Sequence, residues 1–147
     1  MNYTIYDPAT GEITATITSG NTESATITLG NSTYIKGNYS GKQYYIDIGT
    51  REPVELPAKP VAFLQQYVFD WTTHNWILDT NATAATVRTY RNALLAAVDK
   101  VNPVWFASLT ADQQTELATY RQALLNVPQQ SGFPTTVEWP VKPTWLA

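Results

Sequence analysis

Thr89-Tyr90-Arg91-Asn92-Ala93-Leu94-Leu95 returns thirty positions later as Thr119-Tyr120-Arg121-Gln122-Ala123-Leu124-Leu125. Each copy sits in a stretch of helical period. Around the first, Val87, Tyr90, Leu94 and Val98 fall at i, i+3, i+7 and i+11, one stripe of a 3.6-residue repeat. Around the second, Leu117, Tyr120 and Leu124 form a similar stripe. The first helix is expected from Ala82 to about Asp99 and to end at Asn102-Pro103, because a residue before proline is pushed out of the helical region. The second is expected to start at Thr110, with Gln113 completing a capping box, and to run to about Asn126, before Pro128. One repetition makes no solenoid, which needs three or more units. The reading is two similar helices packed as an antiparallel pair, each offering Tyr and Leu to the shared face.

Upstream of residue 60 the period changes to two. Ile13-Thr14-Ala15-Thr16-Ile17-Thr18 alternates as a half-buried strand does, and Ala25-Thr26-Ile27-Thr28-Leu29 repeats the pattern. Thr4-Ile5-Tyr6 precedes Asp7-Pro8-Ala9-Thr10-Gly11, a proline–glycine turn of hairpin length. Tyr34-Ile35, Gln43 to Ile48 and Val54-Glu55-Leu56 supply further short strands. Glu55-Leu56-Pro57-Ala58-Lys59-Pro60 reads as a stiff linker. Beyond it, Tyr67 to Trp71 and Trp76-Ile77-Leu78 flank the polar turn Thr72-Thr73-His74-Asn75, a second hairpin. The fold class expected is α+β: an N-terminal antiparallel β meander, then a β-hairpin, two packed helices and an extended Pro/Trp-rich C-terminal tail. The domains expected are 1–58, all β, and 59–147, carrying hairpin, helical pair and tail.

The tail alternates prolines with large apolar side chains, from Pro128 through Phe133-Pro134 and Trp139-Pro140 to Pro143-Thr144-Trp145-Leu146. That pattern cannot be a helix and predicts a chain close to polyproline II. Its rings are costly to leave in water, so something covers them. Two readings stand: the tail wraps back over the helix pair and completes the core, or another protein docks on part of it.

Composition narrows the function classes. The chain has 147 residues, 44% hydrophobic and 12% aromatic, enough for a core, yet only 14% charged. Thr, Asn and Gln take the place of charge. A net charge of −3 gives no basic stripe for nucleic acid or an anionic membrane surface. With no cysteine and one histidine, thiol chemistry and multi-histidine metal sites are excluded. The start, MNYTIYDPATGE, has neither a basic nor an apolar run, so no secretory leader is expected, and no apolar stretch is long enough for a membrane span. A protein folded in a cytoplasm is expected.

The catalytic inventory is thin. His74 reads as a hydrogen-bonding turn residue. Asp70 and Asp79 flank the aromatic hairpin and read as strand-end and helix N-cap residues before a carboxylate pair. Gly30, Gly37 and Gly41 are spaced for turns and make no phosphate loop. Tyr39, Tyr44 and Tyr45 fit cross-strand packing, with stacking on sugars as a further reading. No enzyme and no cofactor is expected.

Tyr120-Arg121-Gln122-Ala123-Leu124-Leu125-Asn126-Val127-Pro128-Gln129-Gln130-Ser131-Gly132-Phe133-Pro134, followed by Val137-Glu138-Trp139-Pro140-Val141-Lys142-Pro143, resembles the C-terminal signature of phage tail assembly chaperone-like and tail-fibre assembly proteins. The stretch from Val87 to Leu95 and the Phe69-Asp70-Trp71 hairpin are similar to the same group, and Tyr6 to Gly11 and Tyr34 to Asp47 resemble segments of small tailed-phage tail proteins. The resemblance implies a non-enzymatic protein that binds a tail fibre or tail spike, a trimer, and assists its folding in the host cytoplasm, some such proteins staying attached in the virion tail. Other tail proteins are further expected partners. The alternative is a permanent structural component of tail, baseplate or fibre that contributes to host receptor contact. The residues expected to bind the partner are Tyr120, Arg121, Phe133, Trp139, Pro140 and Trp145. For Arg121 a second role stays open, a structural clamp onto tail carbonyls.

Overall fold

Strand β1 (Asn2–Tyr6) runs between two antiparallel neighbours, β2 (Ile13–Thr18) and β3 (Tyr34–Lys36), in the order β2-β1-β3. The computed structural model describes residues 1–20 and 32–147, so the strand expected at Ala25–Leu29 lies outside the described residues. A strand with neighbours on both sides must satisfy any polar side chain it buries. Thr4, fully buried, does so: its hydroxyl donates to the Gly37 carbonyl and accepts from the Tyr39 N–H, each at 3.0 Å. Tyr3 packs with Ile5 and Ile17, and Tyr34 meets its ring edge-on at 5.6 Å.

The turn joining β1 to β2 is built as its sequence suggests. The Asp7 carboxylate accepts from Ala9 N–H, and Gly11 N–H closes onto the Asp7 carbonyl at 2.8 Å. Gly11 lies at φ +73°, and its carbonyl accepts from the Ile46 N–H at 2.9 Å. Ile46, fully buried, ends β4 (Tyr44–Ile46), which pairs antiparallel with β5 (Pro53–Glu55). The hairpin of β6 (Tyr67–Asp70) and β7 (Asn75–Leu78) forms where two aromatic runs were read around a polar turn. Asp70 organises that turn, accepting from Thr72 N–H and the Thr73 hydroxyl. Those bonds, the Thr73 hydroxyl first, hold its carboxyl below the ordinary value. His74 is a turn residue, at φ +53°. Its ring stacks on Tyr45 at 4.0 Å, and Nε2 lies 2.9 Å from the Thr10 carbonyl, an acceptor, so Nε2 carries the proton.

The described chain divides into two compact units, Met1–Pro60 with Val68–Ile77, and Val61–Tyr67 with Leu78–Ala147. The second holds three helices among its described residues. Asp79 caps α1 (Thr80–Asp99), accepting from the Ala82 N–H at 2.9 Å, the cap role read for it. Thr110 and Gln113 form both halves of the capping box of α3 (Ala111–Leu125), at 3.2 and 3.0 Å, and Asn126 ends it. Between them, Asn102-Pro103 does more than stop α1. The Asn102 side chain accepts from Val104 and Trp105 N–H groups, with Pro103 in the first turn, and starts the short α2 (Pro103–Ser108) that periodicity missed.

Leu95 and Val98 of α1 pack with Leu117, Tyr120 and Leu124 of α3 in one buried cluster. The α3 stripe is the one read from sequence. On α1 the buried line is Thr83, Ala84, Val87, Leu95 and Val98, and Tyr90 sits at its edge, 38% exposed. The tail is folded more than its prolines suggest. It passes through a 3-10 turn (Val127–Gln129) and further turns to residue 135, and residues 137–143 run free of helix, strand and turn.

Gly11 gives the fold its most position-specific test. A Cβ there would drive into the Ile46 carbonyl, at a φ that L residues avoid. Gly11→Ala should lower stability by about 1–3 kcal/mol in urea unfolding, and an unchanged midpoint would refute this role for the turn.

Candidate partner-binding face

Polar and aromatic contacts fix the tail within the second unit. The Gln130 amide pairs with the backbone of Glu138 as a strand would, donating to its carbonyl at 2.7 Å and accepting from its N–H at 2.8 Å. Gln65 donates to the Thr135 carbonyl at 3.1 Å. Trp139 then meets Tyr90 edge-to-face at 4.9 Å, and Phe63 meets the same Tyr90 at 5.3 Å. Arg88 lies over the Phe133 ring, 4.9 Å from its centroid. Near the end, Trp145 packs against the Leu-rich cluster and donates its indole N–H to the Glu116 carboxylate at 2.5 Å. Tryptophan suits such a place, since its body is apolar and its N–H needs one acceptor.

The six residues singled out from the sequence fall in different settings. Tyr120 is a core residue, and burial first, then the neighbouring Tyr90, pushes its phenol above the ordinary value. Arg121 is exposed and forks onto Asp99, at the end of α1, with contacts of 2.7 and 3.5 Å. That hydrogen bond holds the Asp99 carboxyl below its ordinary value and raises Arg121. The clamp Arg121 makes is thus to Asp99, not to tail carbonyls. Phe133, Trp139, Pro140 and Trp145 are all half-buried.

Of these, Tyr120 and Pro140 share one groove of about 540 Å³. Its floor is the face of α3 carrying Thr115, Thr119 and Ala123, and its wall is the tail from Pro140 to Thr144. Phe133 belongs to the Arg88 contact elsewhere on the unit. Within the wall, Val141 is 89% exposed. A second, more apolar cleft of about 420 Å³ lies among Val98, Val101, Phe106, Leu117 and Ala118, with Asp99 and Arg121 on its lining.

Sequence reading missed Tyr90 as a platform, Gln130 as the tail's main tie, Glu116 as the acceptor for Trp145, and α2. Asn102-Pro103 carried the signal for α2, because Asn before Pro is a helix start as readily as a stop. Nothing in the pattern of residues announces that a glutamine will pair with a backbone eight positions away.

A family model described as phage tail assembly chaperone protein matches residues 84–144, which span α1 almost entirely, α2, α3 and the tail. The resemblance read from the C-terminal motif holds over that segment. No curated protein and no solved structure matches the chain. Over that segment the chain is similar to phage tail assembly chaperones. Among the described residues, no helix is long and apolar enough to cross a membrane.

Two outcomes test this geometry. Gln130→Leu removes both bonds to Glu138, at roughly 1–3 kcal/mol, so hydrogen exchange at the Glu138 amide should speed up by about fivefold or more. Unchanged exchange would detach Gln130 from tail ordering. The second concerns acid. Because Arg121 depresses the folded value of Asp99, the pair's stabilisation is present above the ordinary carboxyl value of 3.8 and is lost as pH falls through the lowered folded value. Asp99→Asn should therefore show a shallower fall in melting temperature than the parent protein as pH drops from about 4 toward 2, and parallel curves would deny the link.

Proposed function

We propose that this chain binds a phage tail-fibre or tail-spike protein while that partner folds and trimerises in the host cytoplasm. The observation that carries this reading is the groove between α3 and the tail, since it lies wholly within the stretch matching the tail assembly chaperone model. Immature fibre tips present unpaired strand ends and apolar surface that aggregate unless covered. A groove with Pro140, Val141 and Pro143 on its wall and Thr115, Thr119 and Tyr120 on its floor covers such a segment through apolar and hydrogen-bonding contact, and its two charges, Glu116 and Lys142, are opposite in sign. In this reading Pro140 and Tyr120 meet the partner in the groove itself, Trp139 and Trp145 anchor the tail that walls it, and Arg121 and Phe133 extend the face beside it.

Val141→Asp is the cleanest test, because an exposed position tolerates charge. The variant should melt within a few degrees of the parent and co-purify with its fibre about tenfold less well, a loss near 1.4 kcal/mol. Trp145→Ala should weaken binding too, with a lower melt, since its ring also packs inward. Full fibre binding by both variants would remove this face from the function. Mass spectrometry of purified virions separates a transient chaperone, absent from particles, from one retained at the fibre or a permanent tail component.

A further inference from the structure

The first unit contains a polar cleft that the proposed partner-binding face does not use. It measures about 380 Å³, within the small-ligand range of roughly 300–1,000 Å³, and lies among Lys42, Tyr44, Glu55, Pro57, Lys59 and Trp76. Both of its rings are half-buried and held. Trp76 donates its indole N–H to the Pro57 carbonyl at 2.7 Å and meets Phe69 edge-on at 5.2 Å. Tyr44 meets Tyr39 edge-on at 5.6 Å, and its hydroxyl lies 3.5 Å from a Glu55 carboxylate oxygen. Lys59 sets its ammonium 5.2 Å from the Trp76 ring centroid. The lining therefore joins two fixed aromatic surfaces, two ammonium groups and one carboxylate.

That set selects a ligand class. An apolar ligand finds too little apolar wall. A phosphate group would want a nest of backbone N–H groups or a helix start, and neither is among these residues. A pyranose ring has an apolar C–H face for an aromatic surface and a rim of hydroxyls for a carboxylate. Two lysines against one glutamate leave the cleft a net positive charge to be met. We propose that this cleft binds an acidic saccharide, with its C–H face on Trp76 or Tyr44, its carboxylate toward Lys42 and Lys59, and its hydroxyls toward Glu55.

The full chain, ¹⁵N-labelled, tests this directly through the Trp76 indole N–H resonance, assigned with Trp76→Phe. D-glucuronate and N-acetylneuraminate are the probes and D-glucose the neutral control. At least one acidic sugar should move that resonance saturably, with a midpoint of about 1–10 mM, a normal range for one weakly held sugar. The midpoint should rise about fivefold or more in Lys59→Gln or Lys42→Gln, and also at high salt, as a charge contact requires. Both lysines are exposed, so the rest of each variant's spectrum should be unchanged. The proposal fails if neither acid moves the resonance up to about 50 mM, if glucose moves it equally, or if both lysine variants bind like the parent.

Discussion

A pair of helices has one mutual face, and here it is Leu95 and Val98 of α1 against Leu117, Tyr120 and Leu124 of α3. Five buried side chains make a small core, and the outward side of such a pair stays wet unless other chain covers it. Leu94, Val101, Leu109 and Leu125 extend the cluster from the helices and their connections, and Trp145 and Leu146 extend it from the tail. The tail is thus a layer of the second unit, and its proline and tryptophan content follows. Proline keeps the covering chain from becoming a competing helix, and tryptophan removes large apolar area from water at roughly 25 cal/mol per Å².

Holding a covering layer in place demands polar contacts, and this chain makes them largely without charge. Gln130 and Gln65 bond tail backbone and Gln113 a helix start, while Asn102 and Thr110 cap helices and Thr4 satisfies a central strand. The low charge of the sequence is in this sense architectural. Amide and hydroxyl groups bond to backbone at fixed geometry and are little screened by salt, whereas exposed ion pairs such as Asp99–Arg121 contribute modestly. A surface built this way also meets a partner without long-range repulsion or steering.

Local rules were legible and long-range ones were not. The capping box of α3, the cap at Asp79 and the turn at Asp7 to Gly11 depend on neighbours a few residues apart, so spacing sufficed to place them. The stripe on α1 went partly astray because Tyr90 and Leu94 share a period with the true core line through Ala84, Val87, Leu95 and Val98. Large side chains at the edge of a helical stripe look the same in sequence as those at its centre. Which line is buried depends on what lies opposite, and Tyr90 is turned toward Phe63 and Trp139, from two distant segments. For the candidate face, the motif pointed to α3 and the tail, which together form the groove. It could not tell that Tyr120 is interior, that Arg121 answers Asp99, or that Val141 is the outward residue of the groove wall.

This arrangement also bears on how a partner would be held. A disordered Pro-rich tail that folded onto its target would give up ordering entropy at docking, several kcal/mol for a segment of this length. Here the Gln130–Glu138 pairing, the Trp139–Tyr90 contact and the Trp145–Glu116 bond order the tail within the free chain. That entropy is lost when the unit folds, so the groove between α3 and the tail is already formed in the free chain. The same economy ties the two properties together. Any change that loosens the tail weakens the core and enlarges the ordering cost of binding, and only outward residues such as Val141 separate the two effects.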